Sequence, residues 1–334
     1  MRACVSVLAS VLNCSTVLDG QLPDFTGTDF TRADSIAQLY PGHPLKDLKV
    51  LSDKLTSPLR TDVEKFRSVF KWVCLNVEID YTLFAENKDK REKLGGEELA
   101  KWEKKFSTRV FSILAEHHRT VCTGYAYLVK ELAFHAGLDC RIVNGYARHA
   151  QANIGGNGII NHSWNAIELE GKWYLCDPTW SSGIIDGERR AFIRKFDDAY
   201  FLASPSLFGR SHYPVDPQWI LLENKPTLQT FLNAPLVYIG SFRYDVEPLA
   251  PTLFDMQIER GSSVTFRFTK RCGRKFSELA FYLENFRTTD AFTEEQDGSV
   301  TIYTVDHNFS HKGKYAVHIL MDGNPVLSYR VRVN

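Results

Sequence analysis

The stretch that decides the fold is Val121-Cys122-Thr123-Gly124-Tyr125-Ala126-Tyr127-Leu128, continuing through Leu132 to Ala136-Gly137. Tyr125, Leu128, Leu132 and Ala136 recur at helical spacing, and Gly137 is a carboxy-terminal stop, so a helix runs from about Cys122 to Gly137 with the cysteine in its first turn. Three strand-like segments follow, Cys140 to Ala147, Ser163 to Leu169 and Lys172 to Cys176, the last two joined at Glu170-Gly171 as a hairpin. A helix leading into an antiparallel sheet predicts an α+β domain.

The same segments carry a thiol, an imidazole and a carboxylate in order: Cys122, His162 in Asn161-His162-Ser163-Trp164-Asn165, and Asp177 in Cys176-Asp177-Pro178-Thr179-Trp180. These are the parts of a thiolate nucleophile, its proton partner and the group that orients the partner. A free thiol is mostly protonated at neutral pH, and a helix amino terminus or a nearby imidazolium lowers its pKa. The amide of Cys122 can serve as an oxyanion donor, and Gly124 lets the helix start run close to a substrate backbone. A two-residue turn at Glu170-Gly171 sets Trp164 opposite Asp177 and His162 opposite Thr179, which makes His162 and Asp177 diagonal neighbours on one face, roughly 7–8 Å apart.

With 334 residues, 44% hydrophobic and 24% charged, the chain can bury more than one core. Forty basic and forty acidic residues balance, so no global field draws it to nucleic acid. Met1-Arg2 and the apolar run Ala3 to Leu12 read as a signal peptide over 1–20, hence an extracytoplasmic, exported protein, with Cys14 a poor approximation to a lipid-attachment site. Removing Cys4 and Cys14 leaves Cys74, Cys122, Cys140, Cys176 and Cys272, an odd number that fits one free reactive thiol. Cys-x-x-Cys pairs are absent from the sequence, and the adjacent His117-His118 point in different directions on a helix, so no metal site is expected.

Residues 21–60 are broken by Pro and Gly and read as a lead-in over the next domain. Thr61 with Glu64 forms a capping box before the helical pattern Val63, Phe66, Phe70, Val73 and Val77. The mixed charges of 86–105 suggest a surface loop followed by a solvated helix, and Ser107 reads as a helix cap. An α+β catalytic domain therefore spans 61–235. From 236 to 334, short alternating strands (Ser263 to Phe268, Val300 to Tyr303, Lys314 to Ile319, Val326 to Val333) separated by Asp297-Gly298 and Asp322-Gly323-Asn324 predict an immunoglobulin-like β-sandwich.

At these residues the chain resembles the transglutaminase-like superfamily, which shares its architecture with papain-like peptidases. The matching phrases, in order, are Val121 to Ala126, Ala136-Gly137, Val143 to Ala147, His162 to Asn165 and Trp173 to Trp180. Tyr200-Phe201-Leu202, His212-Tyr213-Pro214, Asp216 to Trp219 and Leu221-Leu222 resemble the subgroup of the kyphoscoliosis peptidase and a fungal cytokinesis protein. The resemblance implies a Cys-His-Asp triad at Cys122, His162 and Asp177, with a thioester formed on Cys122 and no cofactor. Thr123 stands where a larger or charged residue is more usual, which leaves the acyl donor open. Tyr125, Trp164 and Trp180 are the aromatic candidates for lining the substrate cleft. The expected function is a cysteine peptidase or amidase acting on protein or peptide substrates. The alternatives are a protein-glutamine transglutaminase, or a scaffold or adhesion protein with an idle triad that meets a partner through its sandwich.

Overall fold

A computed structural model describes residues 23–25, 27–271 and 274–334. The stretch read as a signal peptide lies outside them, as do Cys4, Cys14 and Cys272. Residues 31–56, which read as a turn-rich lead-in, contain two helices, α1 (Thr31–Gln38) and α2 (Leu48–Thr56). Pro41, Gly42 and Pro44 fall between these helices, and each helix buries a short stripe: Ala33, Ile36 and Ala37 on α1, Leu51 and Leu55 on α2. α3 (Asp62–Asn76) begins at the expected capping box, with Glu64 N–H donating to Thr61 Oγ1 and Thr61 N–H donating back to Glu64. Val63, Phe66, Phe70 and Val73 are buried on it, and Val77 follows at its end.

Arg67, also on α3, is buried and donates from Nε to Asp34 Oδ1 at 2.6 Å and from Nη1 to Asp198 Oδ1 at 2.5 Å. Burial opposes its charge, yet the two carboxylates raise the guanidinium's pKa above its usual value. This ion-pair network ties the amino-terminal helices to the turn Asp198–Tyr200, whose Tyr200 carbonyl accepts the N–H of Asp177 at 3.0 Å.

α4 (Tyr81–Lys93) and α5 (Gly96–His117) form a helical hairpin through Gly95-Gly96, where a solvated loop and helix were expected. Ser107 lies inside α5 rather than at its start, because Phe106, Val110 and Leu114 are buried along one continuous stripe. His118, with φ at 54°, ends α5, and α6 (Cys122–His135) starts four residues later. Gly137, at φ +80°, terminates α6 as predicted.

The sheet has four antiparallel strands, β1 (Cys140–Ala147), β2 (His162–Leu169), β3 (Lys172–Cys176) and β4 (His212–Pro214), in the order β3-β2-β1-β4. Glu170 and Gly171 both have positive φ, 54° and 76°, and the turn they make sets the predicted register, Asn165 opposite Cys176 and Leu169 opposite Lys172. Pairing stops there. Asp177 leaves the sheet to cap α7 (Pro178–Ser182), so Trp164–Asp177 and His162–Thr179 are not ladder pairs.

One face of the sheet packs on α6 through Ile167, Leu169, Tyr174 and Cys176. The other face, with Trp164, Ala166 and Leu175, shares a core with Phe242, Tyr244 and Val246 of the carboxy-terminal region. That region is an immunoglobulin-like sandwich of two sheets. One holds Val246–Ala250, Ser263–Lys270, Val300–Asn308 and Thr293–Asp297; the other is built around Gly313–Met321 and Asn324–Val333. Arg148 reinforces the junction, donating to the carbonyls of Ala234 and Pro235.

Candidate active site

Cys122 is the first residue of α6, with Val121 in extended conformation before it, so its sulfur sits at the positive end of the helix. It is partly exposed, whereas Cys74, Cys140 and Cys176 are buried; all four are free thiols. Burial raises the three, Cys140 to about 12. Burial works the same way on Cys122, but the charge and hydrogen bond of His162 and the backbone N–H of Ser163 outweigh it and hold the thiol below its ordinary value.

His162, at the start of β2, directs Nε2 to Asp177 Oδ2 at 2.8 Å, which leaves Nδ1 for the sulfur. Burial lowers its pKa, and the charges of Asp177 and Cys122 more than reverse this, so the imidazolium is favoured. Asp177 is fully buried and accepts four hydrogen bonds. Oδ1 takes the N–H of Thr179 at 2.8 Å and of Trp180 at 3.1 Å, the cap of α7; Oδ2 takes His162 and the Nε2–H of His212 at 3.1 Å. Desolvation is overridden by the two histidines, His162 foremost, and the carboxyl titrates well below the usual range. The three residues picked out in the sequence are therefore adjacent in space, in the order sulfur, imidazole, carboxylate.

Residues 49–178 match the family model of the transglutaminase-like superfamily. This chain carries a transglutaminase-like domain. Kyphoscoliosis peptidase of Homo sapiens is 33% identical over 187 residues, covering 54% of this chain and 26% of the relative. Hillarin of Drosophila melanogaster is 27% identical over 229 residues, covering 65% of this chain and 26% of that protein. The chain thus spans about a quarter of the length of these relatives. A solved TGase structure aligns at 14% identity over 45% of this chain and 32% of its own, with a TM-score of 0.29.

Within the transglutaminase-like domain, Asn165 ties the strand of His162 to the helix of Cys122. It is buried on β2 and donates Nδ2–H to the carbonyl of Ala126, one turn along α6 from Cys122, at 2.9 Å. Gly124 packs closely on Thr120: a Cβ there would lie 1.9 Å from Thr120 Oγ1. Gly145 makes room on β1, where a Cβ would meet Tyr213 O at 2.1 Å and the Trp164 ring at 2.5 Å.

His212 is the residue that the sequence motifs contained but did not single out. Burial first, and then the charge of His162, lower its pKa to about 4, so it is neutral and donates to Asp177. Its Nδ1 accepts from Ser211 Oγ at 2.9 Å, and its ring stacks on Phe208 with centroids 4.1 Å apart. His162, Asp177 and His212 are also the one cluster among the described residues whose donor atoms, within 4.8 Å of one another, lie close enough to hold a metal ion. The 2.8 and 3.1 Å nitrogen–oxygen separations are those of proton-sharing hydrogen bonds, and an ion there would take the atoms that orient His162.

A cleft of about 650 Å³ opens over Cys122 and His162. Asn87, Arg91 and Glu103 of the α4–α5 hairpin form one wall, so the charged, largely solvated segment also makes a side of the cleft. Arg91 braces this wall, pairing with Glu103 at 2.7 Å and donating to Asn87 Oδ1 and the Ile160 carbonyl. Thr123 lines the cleft beside the cysteine.

The aromatic candidates do not behave as a set. Tyr125 is wholly buried, with its hydroxyl donating to Val77 O, and belongs to the core beneath α6. Trp164 is equally buried in the core shared with the sandwich, because both faces of β2 are covered. Trp180 is half-buried and packs on the imidazoles of His162 and His212, at 5.4 and 4.6 Å. The aromatic side chains that line the cleft are Phe106 and Trp219.

Proposed function

We propose that this chain is a cysteine peptidase or amidase that forms a thioester on Cys122 from a protein or peptide substrate. The observation that carries the reading is the 2.8 Å contact of His162 with the buried Asp177 beside a thiol of lowered pKa at a helix start, all opening on one cleft. The Cys122 thiolate attacks the substrate carbonyl, and the developing oxyanion meets the backbone N–H of Cys122 at the helix start. His162, holding a proton on Nδ1, gives it to the departing amine as the C–N bond breaks. Water then enters, loses a proton to His162 and releases the acid. Asp177 keeps the imidazole oriented and stabilises its positive charge throughout.

An amine in place of water would give transamidation from the same thioester. Incubation of a denatured proteome with the protein and with Cys122→Ala separates these chemistries. New substrate amino termini that appear only with the unsubstituted protein support hydrolysis of peptide bonds. Incorporation of a labelled primary amine without new termini would reassign the activity to transamidation, and no difference between the two proteins would leave the triad idle.

A further inference from the structure

β1 is paired along one side with β2 from Cys140 to Gly145, but on its other side with β4 only from Gly145 to Ala147. Val215 N–H donates to Asn144 O at 2.9 Å, and the chain then turns away through Pro217–Trp219. Backbone groups of successive strand residues alternate sides, so Ile142, two residues before Asn144, directs its N–H and C=O to the same side, where no strand follows among the described residues. An unpaired edge of this kind is a template for another extended chain. Here it faces space. A groove of about 590 Å³ borders it, lined by Ile142, Trp173, Trp219 and Leu221 together with Lys130, Arg141 and Gln218, and Ile142 and Trp219 also line the cleft over Cys122. Trp173, on β3, and Trp219 meet edge to face with centroids 5.0 Å apart and form the apolar part of the groove's lining.

We propose that this groove is the acyl-donor subsite: an extended segment of the substrate polypeptide adds to the free edge of β1, pairs with Ile142, and sets an apolar side chain against Trp219 and Trp173. The inference rests on the thioester chemistry of Cys122 and specifies what that site takes. Continuity of the groove with the cleft singles out the substrate chain over a second copy of this protein. Asn144 to Cys140 spans about 13 Å at the usual rise of a strand, enough for three or four substrate residues. Backbone pairing supplies affinity with little regard to sequence, while the tryptophan pair selects one apolar position.

The test uses peptidyl chloromethyl ketones, in which the Cys122 thiolate forms a C–S bond and chloride leaves. Acetyl-Gly chloromethyl ketone is the short reference; acetyl-Val-Trp-Val-Gly chloromethyl ketone is the long reagent, made also with single N-methyl groups at each internal amide. The expected result is that the long reagent modifies Cys122 about tenfold faster than the short one, and that N-methylation slows it about three- to tenfold at one alternate set of amides but not the other. Trp219→Ala should reduce the ratio of long to short rates. Equal rates for long and short reagents, or equal effects of N-methylation at adjacent amides, would overturn the subsite while leaving the thiolate reading intact. A short reagent that modifies Cys122 no faster than the buried thiols would overturn both. Dimerisation that rises with concentration and protects Cys122 from the long reagent would assign the edge to a second copy instead.

Discussion

His212 donates its Nε2–H to the same oxygen of Asp177 that receives His162, at 3.1 Å against 2.8 Å. The carboxylate is thus clamped between a charged imidazole, which faces the sulfur, and a neutral one, which faces Ser211 and Phe208. His212 is a positioning residue: it completes the hydrogen bonding of a buried charge and fixes the plane of the group that orients His162.

Replacing His212 by Ala should lower kcat about tenfold, the worth of one hydrogen bond to a charged group. It should also move the alkaline limb of the activity profile to lower pH, because a less firmly held Asp177 supports the His162 imidazolium less well. His212→Gln keeps a donor for Oδ2 and should recover part of both effects. A structural role alone would lower the amount of folded protein without moving the pH profile, so the profile is the measurement to make.

Asp177→Asn should be more severe, about 10²- to 10⁴-fold in kcat, with the protein still folded. The signs follow from the shifts already described. The ion pair of Cys122 and His162 exists between the lowered pKa of the thiol and the raised pKa of the imidazole. Activity is therefore lost as pH falls through the first, when the thiolate is protonated, and as pH rises through the second, when His162 loses its proton. Removing the charge of Asp177 lowers the second limit, which a pH–rate profile of the variant reads directly.

These three residues were legible because local rules place each of them. A helix-start cysteine, a two-residue turn at Glu170-Gly171 and an Asp-Pro dipeptide are short-range signals, and the turn sets the register of β2 against β3. His212 sits on a strand of three residues that pairs with β1 across a long interval, too short to show a period of its own. The aromatics that line the cleft were illegible for another reason. β2 is buried from His162 to Ile167, so polar and apolar residues no longer mark which face meets solvent, and Trp164 looks the same in sequence whether it lines a cleft or a core. The α4–α5 wall was hidden by its mixed charges, since only a few of its residues, such as Leu83, Phe106 and Val110, are buried.

Asn165→Ala should separate positioning from chemistry on the other side of the site. Its amide joins β2 to the first turn of α6, and losing it removes one buried hydrogen bond, about 1–2 kcal/mol of unfolding free energy. Chemical denaturation should show that loss, and the rate of Cys122 alkylation should fall, since the sulfur is no longer held against His162.

Arg67→Met should destabilise the fold by about 3 kcal/mol, because it strips the shared partner from Asp34 and Asp198. The cost should be present at neutral pH and shrink as pH falls and Asp34 is protonated. Asp34, lowered in the folded state by Arg67 and Lys71 against its burial, contributes stability above its unfolded pKa that is lost as pH drops through its folded one. Denaturation midpoints of the variant and the unsubstituted protein across that range check the sign.

The most direct test of the central claim is the pH dependence of iodoacetamide alkylation at each cysteine, followed by mass spectrometry. Cys122 should react fastest by a wide margin, with a midpoint below that of an ordinary thiol, and His162→Ala should move that midpoint upward. A Cys122 that reacts no faster than Cys74, Cys140 and Cys176, or whose midpoint is that of an ordinary thiol and is indifferent to His162, would contradict the account.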